Sequence, residues 1–566
     1  MSTPYIPRTR AQESRAAIER LYIAMRHLFI RGSYKPLGVS GEAMIEAMMV
    51  LCPEIYGSIA DPERVELEGL LYIFQRLPRG IEECRFVRLI SREGFENASF
   101  PPIVPPKRRR NCYRIDEEEM YIEMTRGRSD IYDVLTHLTF LYIEAEKIRR
   151  NSEDHRGRKK RDWNMLEEVV KREEAGEPFN KEVAFTYLST ILGRTYEETV
   201  EACARFSQDP NLNSIFHIAY WMGYRSTEEA VNENDREISF SSALREKIGH
   251  HYYGELWAQN IKEFLMDKGL INRPIHIISA NLHSVMNTLY APYIFKGKKK
   301  NLEEIARDLS LLQNETLRQK VVSYASKKGM YQLDDHSGTN ITVQIYDLAQ
   351  IPLQNLSSEL QWNADHLEKE KPVIIVMDYA FGEQAYETLD ELLKPYEEDG
   401  EKIPLDIKSI NIMGKAGILE GGKGDIMVPT AHVFEGTADN YPIENDFKQE
   451  DFTGFGLKVF EGPMITVLGT SLQNKDILRY FRRSSWGAIG LEMEGAHYQK
   501  AIQAATRIRR TGPNENVILR YAYYASDNPL ISGHTLASGS LGVDGVKPTY
   551  LITIKMLNRI LGGDKR

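Results

Sequence analysis

The chain has 566 residues, 42% of them hydrophobic and 27% charged, with a formal net charge of −9. That is chain enough for two to four domains at about one per 150 residues, and the composition reads as soluble and globular, not disordered. No uninterrupted apolar run reaches the roughly 18 residues of a membrane span, and the acidic balance argues against general nucleic-acid binding through phosphate neutralisation. The first residues, Met1-Ser-Thr-Pro-Tyr-Ile-Pro-Arg8, have no apolar core and do not read as a secretory signal.

From Arg8 to about Lys268 the pattern is helical almost throughout. Ala16, Ile18, Leu21, Tyr22, Met25 and Leu28 recur at three- and four-residue spacing, as do Ile131, Val134, Leu135, Leu138, Leu141 and Tyr142. Further helices are expected over 41–52, 61–77, 163–175, 180–206 and 240–268. Two stretches interrupt them. Phe100-Pro-Pro-Ile-Val-Pro-Pro-Lys-Arg-Arg-Arg110 cannot be regular helix, because proline removes donors and holds the preceding residue extended. Asn151 to Arg161 carries the basic run Arg156-Gly-Arg-Lys-Lys-Arg161, flanked by acidic residues, and reads as a solvated linker. The cysteines Cys52, Cys84, Cys112 and Cys203 form no Cys-x-x-Cys pair, so neither a disulfide scaffold nor a zinc site is expected and a reducing cytoplasm fits. The adjacent His250 and His251 read as ordinary helix residues, since neighbours on a helix diverge by about 100° and cannot share a metal.

The character changes near Arg273-Pro274. Ile275-His-Ile-Ile-Ser279 is a short strand, and Asn281 to Tyr290 a following helix. A lysine-rich turn, Lys296 to Lys300, leads to a helical segment over 301–327. Strands follow at Asn340–Tyr346 and Val373–Met377, and Ala380-Phe-Gly-Glu-Gln384 opens a helix to Leu393. Strands alternating with helices over roughly 290 residues predict an α/β domain, a central mixed sheet with helices on both faces. The division expected is a mainly α-helical region over 1–270 and this sheet domain over 271–566.

Three later segments carry the candidate chemistry. Asn411-Ile-Met-Gly-Lys-Ala-Gly-Ile-Leu419 reads as a buried strand ending in a glycine loop, with a turn at Gly424-Asp425 and the stretch Glu435-Gly-Thr-Ala-Asp-Asn-Tyr441 beyond it. Trp486 to Tyr498 contains Glu492-Met-Glu494, and Val517 to Leu530 contains Ser526-Asp-Asn-Pro529. Each is a strand-like run leading to acidic residues, so three strand ends could converge on one crevice. If Met493 and Glu494 both face that crevice, the strand must end or bulge there, because neighbours in a strand point oppositely.

In their order and spacing these pieces resemble the nucleoside phosphorylase and nucleosidase superfamily, the family of the purine and uridine phosphorylases, and within it most nearly the AMP nucleosidases. The resemblance spans roughly 273–566 and implies cleavage of a purine N-glycosidic bond. It assigns protonation of the leaving base to Asp527 and the ribose hydroxyls and cationic sugar to Glu494. Gly414, Lys415, Gly417, Glu492, Met493, Ser526, Gly382, Glu383 and Asn281 complete the implied substrate-binding set. A lysine within the glycine segment suits a 5′-phosphate, and Glu383, beside the Gly382 turn, would repel inorganic phosphate. The expected activity is therefore hydrolysis of a purine nucleotide or nucleoside, AMP first, without metal or cofactor. The alternatives are a purine nucleoside phosphorylase using inorganic phosphate and a nucleotide sensor without turnover. The sensor reading draws on Ile418, where that family has a second consecutive glycine, and on Lys547 in a displaced Asp544-Gly-Val-Lys547 beyond an insertion of about ten residues. The superfamily also implies a homo-oligomer, with a regulatory or oligomerisation role for 1–270.

Overall fold

A computed structural model describes residues 9–296, 301–437, 439–509, 516–532 and 541–563. The first eight residues, most of the lysine-rich turn, Ala438 and most of the insertion before Asp544 lie outside the described residues. The chain forms two compact units, one of residues 1–250 with 471–477, the other of 251–470 with 478–566. Among the described residues no helix is long and apolar enough to cross a membrane.

The first unit is mainly helical, but helix does not run almost throughout it. A five-stranded sheet is built from β1 (Ser33–Tyr34), β2 (Phe86–Ile90), β3 (Cys112–Arg114), β4 (Glu119–Glu123) and β5 (Glu237–Phe240), in the order β1-β5-β2-β4-β3. These strands have two to five residues, too short for a two-residue period to stand out between long helical patterns. The expected helix at 61–77 shrinks to Leu67–Phe74. That at 180–206 is two, Lys181–Leu192 and Tyr196–Phe206, split where Gly193 takes a φ of +60° and Thr195 caps the second. His250 and His251 sit in a break between helices Ser242–Gly249 and Tyr252–Asp267, with His251 left-handed at φ +55°, so they are not helix-interior residues.

Helix Arg128–Asn151 is the axis of this unit and is buried along most of its length. Its charges are paired by residues of the proline-rich stretch: Arg110 donates to Asp130 Oδ1 at 2.8 Å and to Asp133 Oδ2 at 2.5 Å, and Arg108 to Asp133 at 2.9 Å. The irregular backbone forced by the prolines is thus what carries two arginines into a buried network. In the 151–161 segment Arg158 pairs at the surface with Asp154, but Lys159 turns inward to donate to Thr227 Oγ1 at 2.7 Å and Glu153 at 3.2 Å, so the basic run is not wholly solvated.

In the second unit the strands are β6 (Ile275–Ser279), β7 (Met330–Leu333), β8 (Val343–Asp347), β9 (Val373–Met377), a hairpin of β10 (Tyr396–Glu398) and β11 (Glu401–Ile403), β12 (Ile407–Ile418), β13 (Ile426–Phe434), β14 (Asn440–Pro442), β15 (Val459–Thr466), β16 (Gly490–Glu492) and β17 (Ile518–Asp527). All except the hairpin join one mixed sheet. Its centre is parallel: β9 pairs β6, β6 pairs β12, and β12 pairs β17. Val373-Ile-Ile-Val-Met377 is buried at every position, as a strand covered on both faces must be. Helices Tyr252–Asp267, Gln384–Leu392 and Gly495–Gln503 cover one face, and Leu282–Ile294, Glu315–Ser326 and Val546–Ile560 the other.

Strand β12 organises the sheet. Its first half lies between β6 and β17, and its end lies between β17 and β16. Because β17 also pairs β13, β13 pairs β15 and β15 pairs β16, five strands close on themselves. Closure removes edges that would otherwise be left unpaired. It also brings β16, antiparallel to β12, against the carboxyl end of β12.

Candidate active site

The expected glycine loop is instead strand. Gly414 to Ile418 continue β12, with a register shift between Ala416 and Gly417, and Gly417 lies opposite both Leu491 and Asp527. The glycines serve close packing: a Cβ on Gly414 would stand 3.0 Å from the Tyr523 ring. On β16, a Cβ at Gly490 would come within 2.4 Å of Met427 Sδ and 2.7 Å of Gly417 O.

A cavity of about 400 Å³ opens at the carboxyl ends of β6, β9 and β16 and beside the second halves of β12 and β17, the side of the sheet on which α/β folds bind ligands. Gly414 and Lys415 form one part of its wall, Glu492, Met493 and Glu494 another. Strand β16 ends at Glu492 and a helix starts at Gly495, so the backbone turns between them and lets 492, 493 and 494 all reach the cavity. Gly495 is required there, since a Cβ would strike the buried His432 ring at 2.3 Å.

The two glutamates differ. Glu494 Oε1 accepts the backbone N–H of Gly382 at 2.9 Å, and Gly382 holds a φ of +56° at the turn after β9. Glu492 faces inward: Thr466 Oγ1 donates to its Oε1 at 2.5 Å, and the backbone N–H groups of Glu494 and Gly495 donate to its Oε2. Burial, and then the neighbouring Glu494 charge, push the Glu492 carboxyl up to about 8. Lys415, on the cavity wall, is drawn below the usual lysine range by loss of hydration, with the Asp527 charge opposing.

Asp527 and Ser526 end β17; Ser526 Oγ donates to Asp527 Oδ1 and makes a 3.1 Å contact to Ala416 O. Neither is on the wall of the 400 Å³ cavity, and neither are Gly417, Gly382 or Glu383. Asn281 caps helix Leu282–Ile294 and lines a second cavity. Tyr379, Tyr498, Tyr523 and Tyr524 form an aromatic wall that no motif in the sequence announces, with Ser279 and Thr470 beside it. The signal available was the pair Tyr523-Tyr524 close to the end of a buried strand. Tyr498 Oη bonds Ser279 Oγ at 2.9 Å, and Tyr523 Oη bonds His432 Nε2 at 3.1 Å. Burial pushes the His432 imidazole down to about 3, which keeps it neutral.

Among the described residues one group has the spacing of metal ligands, Glu82, Glu83 and His217 of the first unit. These atoms bond to protein: Asn213 donates to Glu82 at 2.7 Å, His217 Nε2 lies 2.9 Å from Glu83, and Arg114 donates to Glu83 at 3.0 Å. A guanidinium on the same carboxylate works against a cation there.

The profile of the family described as "Family of unknown function (DUF6909)" matches residues 42–321 and 306–562, and the chain belongs to that family. No curated protein matches it. Similar solved structures include the 5′-methylthioadenosine/S-adenosylhomocysteine nucleosidase of Campylobacter jejuni, at 13% identity over 51% of this chain and 98% of that one, with a TM-score of 0.28. The purine nucleoside phosphorylase of Toxoplasma gondii is 14% identical over 52% and 92%, with a TM-score of 0.28. The uridine phosphorylase of Schistosoma mansoni is 13% identical over 53% and 90%, with a TM-score of 0.29.

Proposed function

We propose that the cavity of the second unit hydrolyses the N-glycosidic bond of a purine nucleotide or nucleoside, with AMP giving adenine and ribose 5-phosphate as the first candidate. The observation that carries the reading is the placement of Glu492-Met493-Glu494 and Lys415 on one cavity wall at converging strand ends. A ribose set against Glu494 offers two hydroxyls to a carboxylate, and the same negative charge favours the oxocarbenium-like sugar as the bond to the base breaks. The electron pair of that bond goes to the purine, which takes a proton from Asp527 through one intervening water, because Asp527 ends β17 off the wall of this cavity, while the oxygen of the attacking water bonds to C1′ and releases a proton. Lys415 supplies the positive charge for a 5′-phosphate, and the tyrosines give the base apolar faces to stack on.

Water rather than phosphate as the nucleophile is favoured by one contact. The Gly382 amide, a donor that an attacking phosphate could use at this turn, is engaged by Glu494. A second carboxylate, Glu383, follows it in the chain. The test is release of base from AMP, adenosine and inosine by the full chain, with and without inorganic phosphate. Release from AMP without phosphate is expected; absolute dependence on phosphate overturns hydrolysis, and tight AMP binding without release under either condition supports a sensor.

A further inference from the structure

A second cavity, of about 660 Å³, lies in the same unit and shares Lys415 and Tyr524 with the first. It is larger than the chamber that holds the proposed chemistry. A phosphate on Lys415, four oxygens around one phosphorus, would leave most of it empty.

The walls say what it takes. Met286, Ala306, Leu309, Val322, Leu541 and Val546 line it. Its polar side chains are largely spent on one another or on backbone. Asn287 donates to Tyr550 Oη at 2.9 Å, Gln319 to Glu315 Oε1 at 2.9 Å, and Ser310 Oγ to Arg307 O at 2.7 Å. Arg318 is held by Glu315 and by the carbonyls of Leu309 and Leu311, at 2.9 and 2.7 Å. The rim carries Leu312, 92% exposed. A chamber with committed polar groups and an apolar wall suits a ligand part that brings no hydrogen-bonding demand.

We propose that this second chamber binds an apolar extension of the substrate, so that the preferred substrate is a purine nucleotide whose 5′-phosphate sits at Lys415 and carries an alkyl or comparably apolar group beyond it. This rests on the reading of the first cavity as a nucleotide site. Lys415 is then the junction between two subsites.

The experiment uses the full chain and a series of AMP O-alkyl esters, methyl, butyl and octyl, which share one charge. Affinity is measured by calorimetry and base release separately. Affinity is expected to rise from methyl to butyl by about fourfold per buried methylene, and Val322→Trp, which narrows the chamber, should flatten that rise. Equal affinity across the series in the wild-type chain, or a rise that persists unchanged in Val322→Trp, overturns the proposal. The wild-type series decides by itself if the variant fails to fold. Affinity that climbs with chain length without any base release leaves the chamber standing and removes the glycosidase reading; base release from AMP with exclusion of the esters does the reverse.

Discussion

The backbone N–H of Gly382 and the carboxylate of Glu494 meet at 2.9 Å across 112 residues of sequence. The contact fixes one oxygen of Glu494, a carboxylate on the cavity wall. Glu494→Gln keeps the shape and an acceptor but removes the charge. It should weaken nucleotide binding and slow base release together, by roughly ten- to a hundredfold in kcat/KM, the range for a hydrogen bond to a charged group. Steady-state kinetics with AMP, paired with calorimetry, checks this; a variant with wild-type kcat and KM removes Glu494 from the ribose site.

Asp527→Asn tests the proposed acid. Asparagine is nearly the same size and cannot deliver the proton, so base release should fall by about 10² or more while nucleotide affinity and the melting temperature hold. Retention of full rate would sink the assignment.

Lys415→Ala should cost AMP more than adenosine, because only the nucleotide carries the 5′-phosphate. The ammonium is already held below the ordinary lysine range. The wild-type preference for AMP over adenosine should therefore fade with rising pH earlier than an ordinary lysine would allow. A preference ratio flat to the normal lysine range contradicts a contact with phosphate.

Glu492 gives a stability prediction. Its folded carboxyl is raised to about 8, above the roughly 4.3 of an unfolded glutamate, so the folded state binds the extra proton. The stability this contributes is full below the unfolded value and is lost as pH rises through the folded one. Glutamine mimics the protonated acid: its oxygen can accept from the Glu494 and Gly495 amides and its NH₂ can donate to Thr466. Relative to wild type, Glu492→Gln should gain melting temperature from about pH 4.5 to about pH 8 and level off above. A difference independent of pH across that window refutes it.

In the first unit, Arg110→Ala should be strongly destabilising. Arg110 and Asp130 are 3% and 1% exposed, and removing the guanidinium takes a buried partner from both Asp130 and Asp133. Breaking such a pair costs about 3–5 kcal/mol. Urea unfolding should show the loss as a lower midpoint; a change under about 1 kcal/mol would mean that water reaches the network.

What the sequence by itself determined is the α/β character of the second half. Val373 to Met377, Ile275 to Ser279 and the Asn411 segment are apolar runs that only a sheet covered on both faces can bury, and the helical spacings between them supply the cover. The break after Glu492 was also legible, because Gly495 follows two residues that a straight strand would point apart. The small sheet of the first unit was not, since strands of two to five residues have too few positions to display a period. Nor was the continuation of β12 through Gly414-Lys-Ala-Gly417: glycines read locally as a turn, and only the partners β16 and β17 on either side make them strand. The burial of Arg108 and Arg110, and the convergence of four tyrosines from three separate segments on one cavity, were decided by tertiary structure. Both depend on pairings between residues distant in the chain, and hydrophobic periodicity records which face of an element is buried but not what it is buried against.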